Sequence, residues 1–174
     1  MADLTAWYTT CDAAEFEQGD IFFDATIPNI AAYDPAAEEI QTREGSFVVL
    51  TQSCDLPKVP AILLAEVLSY ASLWNGPDAS VFRKSDTRDR LIRNRFEHLF
   101  LIPPYDNDPK NWSVVAFRQL QLTSIAVLTG LAAKRTPVRL ASPYKEYLGE
   151  SFARFMMRVA LPEPLDEFKT VNWG

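Results

Sequence analysis

Apolar positions along this chain fall into short runs with two different spacings. Gly19-Asp20 opens Ile21-Phe22-Phe23, and the run closes toward Pro28, so its aromatic and β-branched residues predict a strand over 20–26. The residues from Asn29 to Arg43, with Pro35, read as an exposed connection. After Gly45, Ser46-Phe47-Val48-Val49-Leu50-Thr51 predicts a buried strand that ends in Gln52-Ser53-Cys54-Asp55-Leu56 and is closed by Pro57 and Pro60. Ala61 to Val67 is a third apolar run, short enough for a strand, although its leucines and alanines also suit a helix. His98 to Ile102, before Pro103-Pro104, predicts a fourth strand. Trp112 to Arg118 predicts a fifth, extending or bending through Leu120, Leu122 and Ile125. Between the third and fourth runs, residues 68–95 read as an insertion of mixed helical character, broken at Trp74-Asn75-Gly76-Pro77.

The helical spacing is clearest near the end of the chain. Tyr144, Tyr147, Leu148, Phe152, Phe155, Met156 and Val159 recur at steps of three and four, which places them on one face of a helix over about 143–160. Ser142 is positioned to cap it, Pro143 suits its first turn, and Pro162 and Pro164 end it. Glu150 and Arg154 are spaced to pair on the other side, with Arg158 a turn further on. A periodic apolar face of this kind is read as core packing.

Composition adds bounds. With 174 residues, 48% apolar and 23% charged, one domain over 1–174 is expected, with a core large enough to need no metal or disulfide. No apolar run is long enough for a membrane helix, and no basic segment leads into an apolar stretch at the N-terminus, so the expectation is a cytoplasmic protein without a membrane partner. Cys11 and Cys54 form no CxxC pair, the single histidine is His98, and no glycine-rich phosphate loop occurs. No metal site and no cofactor is expected.

Charge is uneven. Residues 1–42 hold nine acids and no Lys or Arg, whereas the rest of the chain has 14 acids against 17 bases. The two parts therefore carry −9 and +3 within a net −6. Arg83, Lys84, Arg88, Arg90, Arg93 and Arg95 face only Asp86 and Asp89, a local surplus that could meet phosphate or an acidic partner surface. The alternative is a solvated helix face whose counter-charges come from the acidic N-terminal arm, residues 1–18 and beyond.

Five short strands, an insertion before the fourth and a terminal amphipathic helix predict a mainly β, α+β fold, a small twisted or barrel-like antiparallel sheet covered by a helix. Gly19-Asp20-Ile21-Phe22-Phe23, Phe47-Val48-Val49-Leu50-Thr51 and Ser113-Val114-Val115-Ala116-Phe117-Arg118-Gln119-Leu120, about a quarter of the chain, resemble the first, second and late strands of MazF/PemK-like toxins. The resemblance implies an SH3-like barrel, single-stranded RNA as substrate and a toxin–antitoxin or defence-type setting. It implies that Arg43, before the second strand, lies near the phosphate, with Ser69 in the place of the family's Thr or Ser. The acidic loop before the second strand and the long 68–95 insertion depart from the family.

A second constellation is Cys54, Asp55 and His98. An imidazole beside a cysteine at a strand end lowers the thiol pKa and makes a nucleophile. This requires the strands carrying Cys54 and His98 to be neighbours; otherwise Cys54 is a small hydrophobe and Asp55 a turn residue before Pro57. Three functions therefore stand from the sequence, and whether the chain is an enzyme is left open. The first is a noncatalytic interaction module that binds a protein partner or a second copy. The second is a MazF-like protein that binds or cuts single-stranded RNA, with the 83–95 arginines on the backbone. The third is a cysteine-dependent hydrolase or transferase.

Overall fold

The computed structural model describes residues 4–11, 15–33, 36, 39–106, 108 and 110–157. It is an α+β protein built on a seven-stranded antiparallel sheet. In chain order the elements are β1 (Tyr8–Thr10), β2 (Asp20–Pro28), β3 (Thr42–Val49), β4 (Ile62–Ser69), α1 (Tyr70–Asn75), α2 (Ala79–Phe82), α3 (Ser85–Ile92), β5 (Leu99–Ile102), β6 (Ser113–Thr123), α4 (Ile125–Lys134), β7 (Val138–Leu140) and α5 (Tyr144–Met156). A 3-10 turn, Leu4–Trp7, precedes β1. The strand order is β1-β7-β2-β3-β4-β6-β5.

Both faces of the sheet are covered, which is why its strands read as continuous apolar runs. Phe47 and Val49 of β3 point to one face with Phe22, Ile27, Ile62 and Leu64, under Leu128 and Ala132 of α4. Val48 and Leu50 point to the other, with Ile21, Val67, Phe100, Val115 and Phe117, against Leu148, Phe152 and Phe155 of α5. The 68–95 insertion supplies a third cover: Phe82 and Leu91 lie on Leu99, Val114 and Ala116. Removing Leu148, which has no exposed surface, would leave a cavity of the kind that costs about 2–5 kcal/mol.

All five expected strands are present, as β2 to β6, with β3 starting earlier, at Thr42, and the third run adopting the strand alternative. In β6, residues 117–119 bulge out between the Glu66–Ala116 and Ala65–Leu120 pairs, and the strand runs on to Thr123. Three elements are additional to the expectation: β1, α4 and β7. The helix near the C-terminus starts at Tyr144, and Pro143 holds the cap position without a side-chain cap bond, so Ser142 does not cap it. The Ser142–Pro143 bond is cis. Its expected face splits. Leu148, Phe152 and Phe155 pack on the sheet, whereas Tyr147 and Met156 are exposed; Arg158 and Val159 lie outside the described residues.

The expected barrel is not closed. β1 and β5 end the sheet and do not pair with each other. The sheet is curled enough, however, for side chains to span the gap. Tyr8 of β1 donates a hydrogen bond to the Pro103 carbonyl just past β5, at 2.5 Å. Tyr105 stacks on Phe23 of β2 with ring centroids 5.2 Å apart. Burial, then the charge of Asp106, pushes the Tyr8 hydroxyl pKa well above its ordinary value, so the proton that makes this bridge is retained.

Beside the seam, the β1–β7–β2 corner is fixed by charge. Gly19, at φ +89°, turns the chain into β2 where an added Cβ would stand 3.0 Å from the Lys145 Cβ. The next residue, Asp20, is fully buried and receives two bonds from Arg139 of β7.

Candidate functional site

The seam opens into a groove. On one side, Tyr70 and Trp74 of α1, Arg88, Leu91 and Ile92 of α3, Leu101 of β5, and Lys110 and Trp112 enclose about 540 Å³. A second hollow of about 390 Å³ shares Leu91, Ile92, Leu101 and Trp112 with the first, and continues to Trp7, Arg93, Phe100, Tyr144 and Tyr147. The two are one continuous surface. Three of the chain's four tryptophans meet there.

Each part has a local cause. The insertion packs Phe82 and Leu91 onto β5 and β6, which leaves the preceding turn of α1 free to project Trp74 at the rim. Tyr70 is held between layers: its N–H donates to the Trp112 carbonyl at 2.7 Å, and its hydroxyl donates to the Phe82 carbonyl at 2.7 Å. Burial raises the pKa of that hydroxyl, with Arg88 opposing, so it stays a donor. Trp7 stacks on Tyr144 at 3.7 Å between centroids, closing the far end. Between the two hollows Ile92 is 71% exposed.

Charge frames the aromatics. The guanidinium carbons of Arg83 and Arg88 lie 5.7 and 5.8 Å from the Trp74 ring centroid, and Arg83 Nε donates to the Trp74 carbonyl at 3.0 Å. Arg90 turns away, over Phe96 at 5.1 Å. Among the described residues, none of Arg83, Lys84, Arg88, Arg90, Arg93 or Arg95 is within ion-pair distance of a carboxylate. Among the described N-terminal acids, Glu17, Asp20 and Asp24 do not supply their counter-charges, because they are engaged elsewhere. Glu17 and Asp20 bind Arg139, Glu17 also binds Lys145, and Asp24 binds Arg135, all at 2.6 Å.

The catalytic candidates are placed apart. Cys54 is exposed in the turn after β3, its Sγ 3.9 Å from the Gln52 Oε1. Asp55 is in the same turn, 4.0 Å from Lys58 Nζ. His98 enters β5 on the far side of β4 and β6, roughly 14 Å away in strand spacing alone. The strands bearing Cys54 and His98 are thus not neighbours, and the thiol and imidazole are not brought together. The His98 ring meets the Phe96 ring edge-to-face at 5.0 Å. Burial, then Arg118 and Arg90, lower its pKa, which keeps the imidazole neutral near pH 7.

Arg43 lies on β3, where Nη2 pairs with Glu66 across the small Gly45 and also reaches the Gln119 Oε1 at 3.3 Å. Ser69 belongs to the opposite face of β4 by strand alternation, since Glu66 and Ser69 are three residues apart. Arg43 and Ser69 therefore do not converge. Among the described residues there is also no group of three His, Cys, Asp or Glu side chains arranged to hold a metal.

The sequence reading missed two features. The first is the groove itself: Trp7, Trp112 and Tyr144 are far apart in the chain, and no local signal joins them. The second is the buried network of Arg139, Asp20, Glu17 and Cys11. The Cys11 thiol pKa is pushed up to about 12, first by burial and next by Asp20, which makes that thiol inert. Comparison with family models, with curated proteins and with solved structures finds no match to this chain.

Proposed function

We propose that this protein is a noncatalytic interaction module that binds a protein partner in the Trp/Tyr/Arg groove. The observation that carries the reading is Ile92. It is 71% exposed and lines both of two adjoining hollows, one with Trp74, Trp112 and Arg88 and the other with Trp7, Trp112, Tyr144, Tyr147 and Arg93. Tryptophan, tyrosine and arginine are the side chains that dominate binding energy at protein interfaces, and an apolar centre ringed by such residues excludes water when covered. The likeness to an SH3-like, MazF-type barrel enters this proposal as curvature alone. Arg43, which that likeness would place at a scissile phosphate, is tied to Glu66 and Gln119.

Single-stranded RNA is the second reading, supported by the arginines that have no described carboxylate partner and by their aromatic neighbours. It ranks below the first because bases need free ring faces. Trp7 is already stacked on Tyr144, and Trp74 already carries two guanidiniums.

Site-specific photocrosslinking in cells tests the proposal, with benzoylphenylalanine in place of Ile92 and, as control, of Val59. The expected result is a discrete, nuclease-resistant adduct from position 92 alone. Equal labelling from both positions, or none from position 92, would overturn the module; nuclease-sensitive adducts would move the reading to RNA.

A further inference from the structure

We propose that the open edge of β5 is a strand-addition site for an extended acidic segment of a protein partner, bonded to the Leu101 backbone and flanked by Arg88 and Arg93. The inference rests on the groove reading above and names what fills it.

The ladder between β5 and β6 carries the first step. Phe117 N–H donates to the His98 carbonyl at 3.0 Å, so the facing residues 98 and 117 share a hydrogen-bonded pair. In an antiparallel ladder such pairs alternate with pairs whose N–H and C=O point away from each other. Phe100 and Ile102 therefore bond toward β6, and Leu99 and Leu101 direct their backbone groups to the outer edge. There Leu99 N–H is taken by the Phe96 carbonyl at 3.1 Å. The N–H and C=O of Leu101 have no protein partner among the described residues. Leu101 lines both hollows of the groove, so its free donor and acceptor lie along the apolar trough. An added strand satisfies both groups and places alternate side chains in the groove.

Charge selects the occupant. Arg88 and Arg93 border the groove without a described carboxylate partner, while Glu17, Asp20 and Asp24 are bound to Arg135, Arg139 and Lys145. A partner segment carrying Asp or Glu supplies what is missing. A second copy pairing edge to edge through β5 would set these arginines against their equivalents, and facing like charges are destabilising.

Fluorescence anisotropy of the full chain with a labelled peptide of alternating glutamate and valine tests this. Binding is expected to weaken as salt rises. N-methylation of alternate amides, which removes the strand's donors and leaves its charge, should weaken it about tenfold. Leu101→Pro should do the same with unchanged circular dichroism, because Pro is tolerated where the N–H faces outward from an edge. If that variant unfolds, the methylated peptide still decides. Equal binding of the methylated peptide, equal binding of a lysine–valine peptide, or tighter binding of oligouridine overturns the proposal. So does a concentration-dependent dimer in sedimentation that Leu101→Pro abolishes, since the occupant is then a second copy. Crosslinks from position 92 without binding of the glutamate–valine peptide would reject the acidic strand and leave the groove reading intact.

Discussion

Arg139 of β7 clasps Asp20 of β2 with two bonds, Nε to Oδ1 at 2.6 Å and Nη2 to Oδ2 at 3.0 Å, and Asp20 is fully buried. The same guanidinium reaches Glu17 and the Glu15 carbonyl, each at 2.6 Å, and Asp20 also accepts from the Glu17 N–H at 2.8 Å. One side chain thereby ties the N-terminal arm, β2 and β7 together. A buried pair with every group bonded stabilises modestly, but loss of one member strands the other. Asp20→Asn is expected to cost about 3–5 kcal/mol, read as a fall in the urea midpoint. The joint replacement Asp20→Leu with Arg139→Met should recover much of that loss. An Asp20→Asn protein as stable as the parent would remove the clasp from the account of this corner.

The Tyr8 to Pro103 bond joins the two ends of the sheet across 95 residues of sequence. Tyr8→Phe keeps the ring and deletes the donor. The expected loss is about 1 kcal/mol, the usual net worth of such a bond, with the fold retained by circular dichroism. Hydrogen exchange at Phe100 and Ile102, whose amides bond to β6, should quicken in the variant if the bridge holds the seam.

The two cysteines should react very differently. Cys54 is exposed, whereas Cys11 is buried with its thiol pKa pushed up to about 12. An alkylating reagent at neutral pH should modify Cys54 in the native protein and reach Cys11 only after unfolding, as mass spectrometry would show. Cys54→Ser should leave stability within about 0.5 kcal/mol, as befits an exposed turn position.

Acidification should destabilise the protein in two windows. His98 has a folded pKa below the ordinary 6.5, so the unfolded chain binds more protons as the pH falls past that value. Its contribution to stability is whole above 6.5 and is lost below. Glu17, lowered chiefly by the Lys145 hydrogen bond, contributes above 4.5 and is lost as the pH drops further. Thermal melts across pH should show the first slope shallower in His98→Gln and unchanged in Glu17→Gln. Identical slopes in parent and His98→Gln would refute the assignment.

How much of this was legible beforehand follows the range of the interactions. β2, β3, β5 and β6 were visible because alternating or continuous apolar runs bounded by Gly and Pro encode strands within a few residues. α5 was visible because its stripe repeats, although Tyr147 was read as core when it lines a groove. α4 was hidden by β-branched residues and by Gly130 in its interior, yet a signal was present. Ser124 accepts from the Val127 N–H, and Leu128, Leu131 and Ala132 follow at helical spacing. β1 and β7 have three residues each, too short for any period to register.

The site was another matter. The surplus of positive charge over 83–95 could be counted from the residues, but its neutralisation depended on where the acids went. Glu17, Asp20 and Asp24 went to Arg135, Arg139 and Lys145 because the sheet places those bases beside β2 and the turn before it. The separation of Cys54 from His98 by β4 and β6 likewise follows from strand order, which no local pattern specifies. Local physics, the period of side chains and the stiffness of Gly and Pro, set which segments become strands and helices. Contacts between distant segments, whose pairing is selected only when the whole core packs, gathered Trp7, Trp74, Trp112 and Tyr144 around Ile92 and left the edge of β5 open.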